Sequence, residues 1–188
     1  MKKRVFIIHG WEGRPDSNWF PWLAGELKKN GFEVVVPQMQ NADFPKCDEW
    51  LEHMQKIVGR PDENTFLVGH SLGVIAILRY LESLPADEKA GGAVLVAGFS
   101  EPIGIVELEN FFAVPLDYDK VKKSAKSIIA VHSDNDSYVP LVQGEIMRDK
   151  LDAKLIVIPN GDHLNAGNGY FEFPLVYEKI LKMAGKIG

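Results

Sequence analysis

The fold of this chain is decided by the stretch Thr65-Phe66-Leu67-Val68-Gly69-His70-Ser71-Leu72-Gly73. Its first residues form an apolar run that predicts a buried strand, and a helix-like run at residues 74–80 follows the last glycine directly. A Gly-x-Ser-x-Gly motif between a strand and a helix is typical of a sharp turn that lifts the serine hydroxyl above the edge of a sheet. Glycine suits the two flanking positions because such a turn leaves no room there for side chains. Ser71 is therefore the first candidate for a reactive residue.

Apolar runs alternate with helix-like segments on both sides of this turn. Strands that are almost continuously apolar indicate a parallel sheet covered by helices on both faces. We predict a three-layer, doubly wound α/β fold with a mostly parallel sheet of about six strands. Residues 99–123 are irregular and too few for a large lid domain. The predicted strands cover residues 4–8, 32–36, 65–68, 92–97, 126–131 and 154–158, and the predicted helices cover residues 16–30, 48–58, 72–83, 141–151 and 173–187.

Length and composition narrow the possible classes of protein. A chain of 188 residues suits a single domain that spans residues 1–188. Its net charge of −5 argues against binding to nucleic acid or to an anionic membrane. The lone Cys47 excludes an internal disulfide, which fits a reducing compartment. The basic start is followed by an apolar run too short for a signal peptide, and no run is long enough for a membrane helix, so we expect a cytoplasmic protein.

A serine hydroxyl is a weak nucleophile, and it needs a base within hydrogen-bonding distance. Of the five histidines, His163 lies in a glycine-marked loop directly after the last predicted strand. In a parallel sheet that loop and Ser71 lie at the same edge. Of the others, His53 is expected on the surface of a helix, and His70 belongs to the serine turn. His132 is expected to be packed at the end of a strand. His163 is thus the predicted general base.

The base in turn needs a carboxylate that orients it. When a serine turn of this kind opens a helix, the acid normally follows the serine and precedes the histidine in the chain. Asp134 and Asp136 both meet this condition, since they follow the fifth predicted strand. Asp162 is a poor candidate because it neighbours His163 and adjacent side chains diverge. The residues alone leave Asp134 and Asp136 as alternatives.

Two backbone N–H groups are needed to stabilise the oxyanion that forms when a serine attacks a carbonyl. One is expected from Leu72, directly after the serine, and the other from Trp11 in the loop after the first strand. His9 is expected to shape that loop and to line the substrate pocket. Phe111 and Phe112 are further candidates for the pocket, although core packing explains these two aromatic residues equally well.

Several motifs occur in a specific order that covers nearly the whole chain. They are Val5-Phe6-Ile7-Ile8-His9-Gly10-Trp11, Trp19-Phe20-Pro21-Trp22-Leu23, Gly69-His70-Ser71-Leu72-Gly73, Pro115-Leu116-Asp117-Tyr118-Asp119-Lys120-Val121, residues 133–140, Gly161-Asp162-His163-Leu164-Asn165, Gly169-Tyr170 and Phe173-Pro174. In this set the chain resembles the α/β-hydrolase superfamily, and more narrowly the small serine hydrolases of the retinoblastoma-binding-protein-9-like family.

This resemblance implies a triad of Ser71, Asp136 and His163. Asp136 is preferred to Asp134 because Val139-Pro140 ends the acid-bearing loop of such hydrolases in the same way. The family further implies hydrolysis of small carboxylic esters through an acyl-enzyme, with no cofactor and no metal. The expected partner is a small ester or a related acyl substrate.

Two alternatives to an esterase remain open at the level of the sequence. An amidase, peptidase or thioesterase would use the same triad, and a catalytically silent binding protein would use the same scaffold. The name-giving member of the family carries a Leu-x-Cys-x-Glu motif proposed to bind the retinoblastoma protein. The nearest match here is Pro45-Lys46-Cys47-Asp48-Glu49, with proline in place of leucine. The sequence therefore does not support a retinoblastoma-type partner.

Overall fold

The computed structural model describes residues 2–188 as a six-stranded sheet enclosed by helices. The strand order is β2-β1-β3-β4-β5-β6, and every neighbouring pair of strands is parallel. The predicted parallel α/β fold of about six strands is thus confirmed, and no large separate domain is added to it. The strands are β1 (Arg4–Ile8), β2 (Glu33–Val35), β3 (Thr65–His70), β4 (Gly92–Val96), β5 (Ile128–Ser133) and β6 (Lys154–Ile158).

Helices cover both faces of the sheet, because the central strands are apolar on both sides. The helices α1 and α6 pack on one face, and α2, α3, α4 and α5 pack on the other. The helix after the serine turn is buried from Leu72 to Leu81, which fits its nearly uniform apolar composition. The helices are α1 (Phe20–Lys29), α2 (Cys47–Val58), α3 (Leu72–Ser83), α4 (Tyr118–Lys123), α5 (Val142–Leu151) and α6 (Pro174–Met183).

Several element boundaries differ from the predicted ones for local reasons. Within the predicted segment 16–30 the helix begins at Phe20, because Asn18 has a positive φ of 53° that a helix excludes. The last helix ends at Met183, just before Gly185 with its positive φ of 64°. Residues 99–123 are more regular than expected, since they contain a 3₁₀-helix at Val106–Phe112 and α4.

The topology brings the carboxyl ends of β1, β3, β5 and β6 to one edge of the sheet. The central strand β3 lies between β1 and β4, with Ile8 paired to Gly69 and His70 paired to Val96. The loops that follow these strands therefore meet above the serine turn, as expected for ligand sites in parallel sheets.

Candidate active site

The serine turn is a strained connection between β3 and α3. Ser71 has φ 54° and ψ −121°, a combination that L-residues rarely adopt and that persists at functional sites where the surroundings hold it. A Cβ atom added at Gly69 would lie 2.9 Å from the carbonyl carbon of Gly73, and one at Gly73 would lie 2.3 Å from the carbonyl oxygen of Ile8. Both flanking positions therefore require glycine, which is the physical basis of the Gly-x-Ser-x-Gly spacing.

The loop after β1 passes directly over the serine. A Cβ atom at Gly10 would lie only 2.9 Å from the Cβ of Ser71. The next residue, Trp11, lines the same cleft as Ser71, and its indole Nε1–H donates to the carbonyl of Asp43 at 3.0 Å. Leu72 is the first residue of α3, so its N–H has no partner within the helix. Trp11 therefore lies in the same cleft as Ser71, and Leu72 follows Ser71 directly in the chain.

His163, which lines this cleft, is paired with the buried carboxylate of Asp136. The distance between His163 Nδ1 and Asp136 Oδ2 is 2.8 Å, and the side chains are 11% and 1% exposed respectively. Because a carboxylate accepts this hydrogen bond, Nδ1 carries the proton and Nε2 of the neutral ring is left as an acceptor. An imidazole in this tautomer is ready to accept a proton from a hydroxyl.

The carboxylate of Asp136 is itself held by the backbone. Its Oδ1 accepts from the N–H groups of Tyr138 at 2.8 Å and Val139 at 3.0 Å. Burial alone would raise the pKa of Asp136, but the hydrogen bond from His163 and those from the two backbone groups hold it below its usual value. Asp136 is therefore ionised throughout the neutral range.

Asp134, the alternative acid, has another partner. Its Oδ1 accepts from the backbone N–H of Asn160 at 2.8 Å and joins the loop after β5 to the loop after β6. The structure thus brings Asp136, and not Asp134, to His163.

Ser71 and His163 line a shared cleft of about 360 Å³. The cleft is lined by a set of apolar side chains and a set of polar groups that includes one carboxylate. The apolar side chains are Phe99, Ile103, Ile105, Leu108 and Val139, and the polar residues besides Ser71 and His163 are Glu12, Tyr138 and Asn165, with Trp11 beside them.

The predicted pocket residues His9, Phe111 and Phe112 are not among those lining the cleft, which corrects the prediction. His9 is fully buried, and its Nε2 accepts from the backbone N–H of Met39 at 2.9 Å, so it anchors the loop as expected but does not reach the substrate space. Phe111 is 1% exposed and packs edge-on against Trp50 in the core. Phe112 packs against Phe99, which does line the cleft.

The remaining histidines lie outside the reacting positions. His132 is buried at the end of β5, as predicted. His53 is half-buried on α2 and not fully exposed, which corrects its placement on the surface. His70 is buried beneath His163, and its Nε2 donates to the carbonyl of His163 at 3.0 Å.

Comparison with known proteins places this geometry in a family. The sequence model of the family described as serine hydrolase matches residues 5–182. The chain belongs to the serine hydrolase family. The YdeN protein of Bacillus subtilis (strain 168) is 33% identical over 187 residues, which cover 99% of this chain and 98% of YdeN. The serine hydrolase RBBP9 of Rattus norvegicus is 27% identical over 148 residues, which cover 77% of each chain.

Solved structures show the same relationship. The crystal structure of the ydeN gene product from B. subtilis superposes with a TM-score of 0.94 and covers 98% of this chain and all of that one. Est1E from Butyrivibrio proteoclasticus with ferulic acid bound superposes with a TM-score of 0.76 at 16% identity, over 96% of this serine hydrolase and 87% of Est1E. The latter likeness shows the α/β-hydrolase fold alone.

The described residues 2–188 contain neither a cluster of metal ligands nor a membrane-spanning helix. Within residues 2–188, no three or more His, Cys, Asp or Glu side chains lie close enough together to hold a metal ion. Among the same residues, no helix has the length and apolar character needed to cross a membrane.

The cleft residues that sequence reasoning missed lie mainly on residues 99–108 and on the loop after β5. Ile103 and Ile105 are half-buried residues of a segment without helical or strand periodicity, so no pattern marked the face they present. Tyr138 offered a signal, because it follows Asp136 by two residues and its loop was already assigned to the active edge. It is 65% exposed, and its ring centroid lies 5.1 Å from that of His163.

Proposed function

We propose that this serine hydrolase cleaves small carboxylic esters through an acyl-enzyme, with Ser71 as nucleophile, His163 as general base and Asp136 as the orienting acid. The observation that carries the proposal is the 2.8 Å contact between His163 Nδ1 and Asp136 Oδ2 in the cleft that contains the strained Ser71. We assign this chemistry to one domain that spans the chain.

The first half of the reaction follows from the tautomer of His163. Nε2 takes the proton of the Ser71 hydroxyl while Oγ attacks the ester carbonyl. The imidazolium that forms is stabilised by the ionised Asp136, and the N–H groups of Trp11 and Leu72 stabilise the oxyanion. The protonated His163 then donates its proton to the leaving alcohol, which leaves the acyl group on Ser71.

The second half repeats these steps with water. His163 removes a proton from a water molecule, the water attacks the acyl carbonyl, and the tetrahedral intermediate collapses to release a carboxylic acid and restore Ser71. Every proton in the scheme moves through Nε2 of His163, which finally returns a proton to Ser71 Oγ.

The lining of the cleft favours an apolar acyl group of limited length. Ile103, Ile105 and Leu108 present hydrocarbon to the space beside Ser71. Burying each additional methylene of an acyl chain against such a surface contributes about 0.8 kcal/mol until the surface is covered. A cleft of about 360 Å³ limits how many carbons gain in this way. We therefore expect short to medium acyl chains to be preferred.

The test is a series of p-nitrophenyl esters from acetate to laurate, with p-nitroacetanilide as the matched amide. We expect kcat/KM to rise from acetate to a chain of about four to six carbons and then to level off or fall. Ser71→Ala must abolish turnover of every substrate in the series. Ser71-dependent cleavage of the anilide at a rate equal to that of the acetate ester would indicate an amidase, and turnover that survives in Ser71→Ala would contradict the proposal.

A further inference from the structure

The loop that carries His163 has an unusually strained backbone. Three of its residues, Asn160, Asp162 and Leu164, have positive φ angles of 52°, 48° and 50°. Asn and Asp tolerate this conformation because their short polar side chains bond locally, but a leucine gains no such compensation. A conformation of this kind persists only where surrounding contacts enforce it. The contacts on each side of His163 therefore decide where its imidazole lies.

The residues of this loop that precede His163 are bonded to the end of β5 and to the loop after it, which carries Asp136. The N–H of Gly161 donates to Ser133 Oγ at 2.8 Å, and the N–H of Asp162 donates to Asn135 Oδ1 at 2.8 Å. These bonds join the loop to the neighbouring strand. They precede His163 in the chain, so they leave its far side to be fixed by something else.

The second half is held by two buried ring N–H groups, which we call the loop clamp, consisting of Trp19 and His70. The indole Nε1–H of Trp19 donates to the carbonyl of Leu164 at 2.9 Å, and Nε2–H of His70 donates to the carbonyl of His163 at 3.0 Å. Two consecutive carbonyls are thus fixed on either side of the strained Leu164 peptide. Trp19 is fully buried and His70 is 4% exposed, so water does not compete for these bonds.

The ring of His70 also contacts the imidazole of His163 and the indole of Trp19. The centroid of His70 lies 4.9 Å from that of His163, and the centroid of Trp19 lies 6.0 Å from that of His70. Burial lowers the pKa of His70 to about 3, so its ring is neutral and its single proton sits on the donating Nε2. His70 directly precedes Ser71, which means that one residue links the serine turn to the loop of His163.

We propose that the loop clamp positions the imidazole of His163 for proton transfer from Ser71. This proposal rests on the proposed function, because it gives His163 the role of base. Trp19 and His70 are positioning residues: they touch no substrate and act through His163. Without them the strained peptide at Leu164 relaxes, and the imidazole moves away from Ser71 while Asp136 still binds it from the other side.

The experiment removes each donor while keeping an apolar ring in its place. Trp19→Phe and His70→Phe remove the N–H groups, and His70→Gln restores a donor of a different shape. Tyr80→Phe is the matched control, since the buried Tyr80 hydroxyl donates to the backbone carbonyl of Gly59 at 3.1 Å, near the other end of α3. For each variant we would measure kcat and KM for p-nitrophenyl butyrate, the unfolding midpoint in urea, and amide hydrogen exchange of residues 160–166.

The loop clamp predicts a loss in kcat of about 10-fold for each ring variant and about 10²-fold for the double variant, with little change in KM, because misplacing a reacting group by about 1 Å costs rates of this size. Exchange in residues 160–166 should accelerate, and His70→Gln should recover part of the kcat lost in His70→Phe. Tyr80→Phe should lower the unfolding midpoint and leave both other readouts unchanged.

Two outcomes separate this inference from the proposed function. The ring variants could lower only the unfolding midpoint, as expected for Tyr80→Phe, and leave kcat and the exchange of residues 160–166 unchanged. That result would overturn the positioning role of the loop clamp. If the wild type shows no Ser71-dependent turnover of any ester, the proposed function fails first. Exchange at residues 160–166 then still decides whether Trp19 and His70 hold the loop.

Discussion

The two walls of the cleft are built in different ways. The polar wall, formed by residues 133–138 and 160–165, is held by side-chain hydrogen bonds of 2.8–3.0 Å that link the loops after β5 and β6. The apolar wall, formed by Phe99, Ile103, Ile105 and Leu108, is held by packing against the core beneath α3. Hydrogen bonds are directional and fix an atom's position, whereas apolar contacts fix shape only approximately.

This difference separates the requirements of the reaction from those of the substrate. A proton transfer needs its donor and acceptor within hydrogen-bonding distance. The hydrogen bonds of the polar wall fix the position of the His163 imidazole closely enough to meet this requirement. Binding of an acyl chain needs only a surface of suitable size, and hydrophobic surfaces tolerate changes of shape well. Substitutions of the polar-wall residues that bind the imidazole of His163 should therefore lower turnover of all esters, and substitutions in the apolar wall should change which ester is preferred.

The largest expected effect comes from the acid of the polar wall. Asp136→Asn should lower kcat by about 10⁴-fold, because an amide in place of the carboxylate favours the wrong tautomer of His163. Asp134→Asn is the control within the same loop and should cost less than about 10-fold, since Asp134 contacts a backbone N–H and not the base. Both are measured as kcat for p-nitrophenyl butyrate. The reverse ranking would assign the acid to Asp134.

The serine turn between the two walls tolerates no added side chain. In Gly73→Ala the new Cβ would lie 2.3 Å from the backbone oxygen of Ile8, so we expect a loss of about 2–3 kcal/mol in the free energy of unfolding. Gly25→Ala is the control on α1, where no atom lies within 4 Å and alanine should add about 0.5–1 kcal/mol. Urea unfolding measures both, and equal stability of the two variants would refute the close approach.

A substitution in the apolar wall should change the preference of the enzyme between short and longer acyl chains. Ile105→Ala should lower kcat/KM for p-nitrophenyl butyrate by about 10-fold relative to its effect on the acetate, since the longer acyl chain loses contacts that acetate never makes. Val106→Ala is the neighbouring control, because Val106 is 74% exposed and does not line the cleft. A uniform drop for both esters would place Ile105 in the machinery of the reaction and break the division between the walls.

The smallest effect concerns a polar group next to the polar wall that lacks its hydrogen bonds. His132 is buried, and among the described residues neither ring nitrogen has a partner. Burial lowers its pKa from 6.5 to about 4. Between these values the unfolded chain binds a proton that the folded chain does not, so the free energy of unfolding falls as the pH drops from about 6.5 towards 4.

The measurement is urea unfolding at pH 7.5 and pH 5. His132 should account for about 1–2 kcal/mol of the stability lost between the two conditions. His132→Leu removes the titrating ring and should make the loss smaller by that amount. If the free energy of unfolding of His132→Leu falls between pH 7.5 and pH 5 by as much as that of the wild type, protonation of His132 does not destabilise the folded protein.

Sequence reasoning reached the polar wall and missed the apolar one for a physical reason. The strained turn at Ser71 demands glycine on both sides, and the loops after parallel strands must meet at one edge, so residue types and their order are enough to predict Ser71 and His163 as candidates. Asp136 could be separated from Asp134 only by resemblance, because the choice depends on which carboxylate faces the ring. Which carboxylate faces the ring is decided by the folded structure and not by the order of residues.

The apolar wall leaves no comparable mark in the sequence. Phe111 and Ile105 are both apolar residues of one irregular segment, yet Phe111 packs in the core and Ile105 faces the cleft. Hydrophobicity predicts that a side chain is buried. It does not show whether other side chains of the core or a bound substrate bury it. His70 was placed correctly in the serine turn, but its bond to the carbonyl of His163 joins residues 93 positions apart.

The central claim is that Ser71 is an activated nucleophile, and covalent labelling tests it most directly. A fluorophosphonate probe reacts with a serine whose proton is removed by a neighbouring base. We predict that mass spectrometry of the labelled wild type finds the phosphonyl group on Ser71 and that folded Ser71→Ala is not labelled. Absence of labelling in the folded wild-type protein, or labelling of a different serine, would contradict this account.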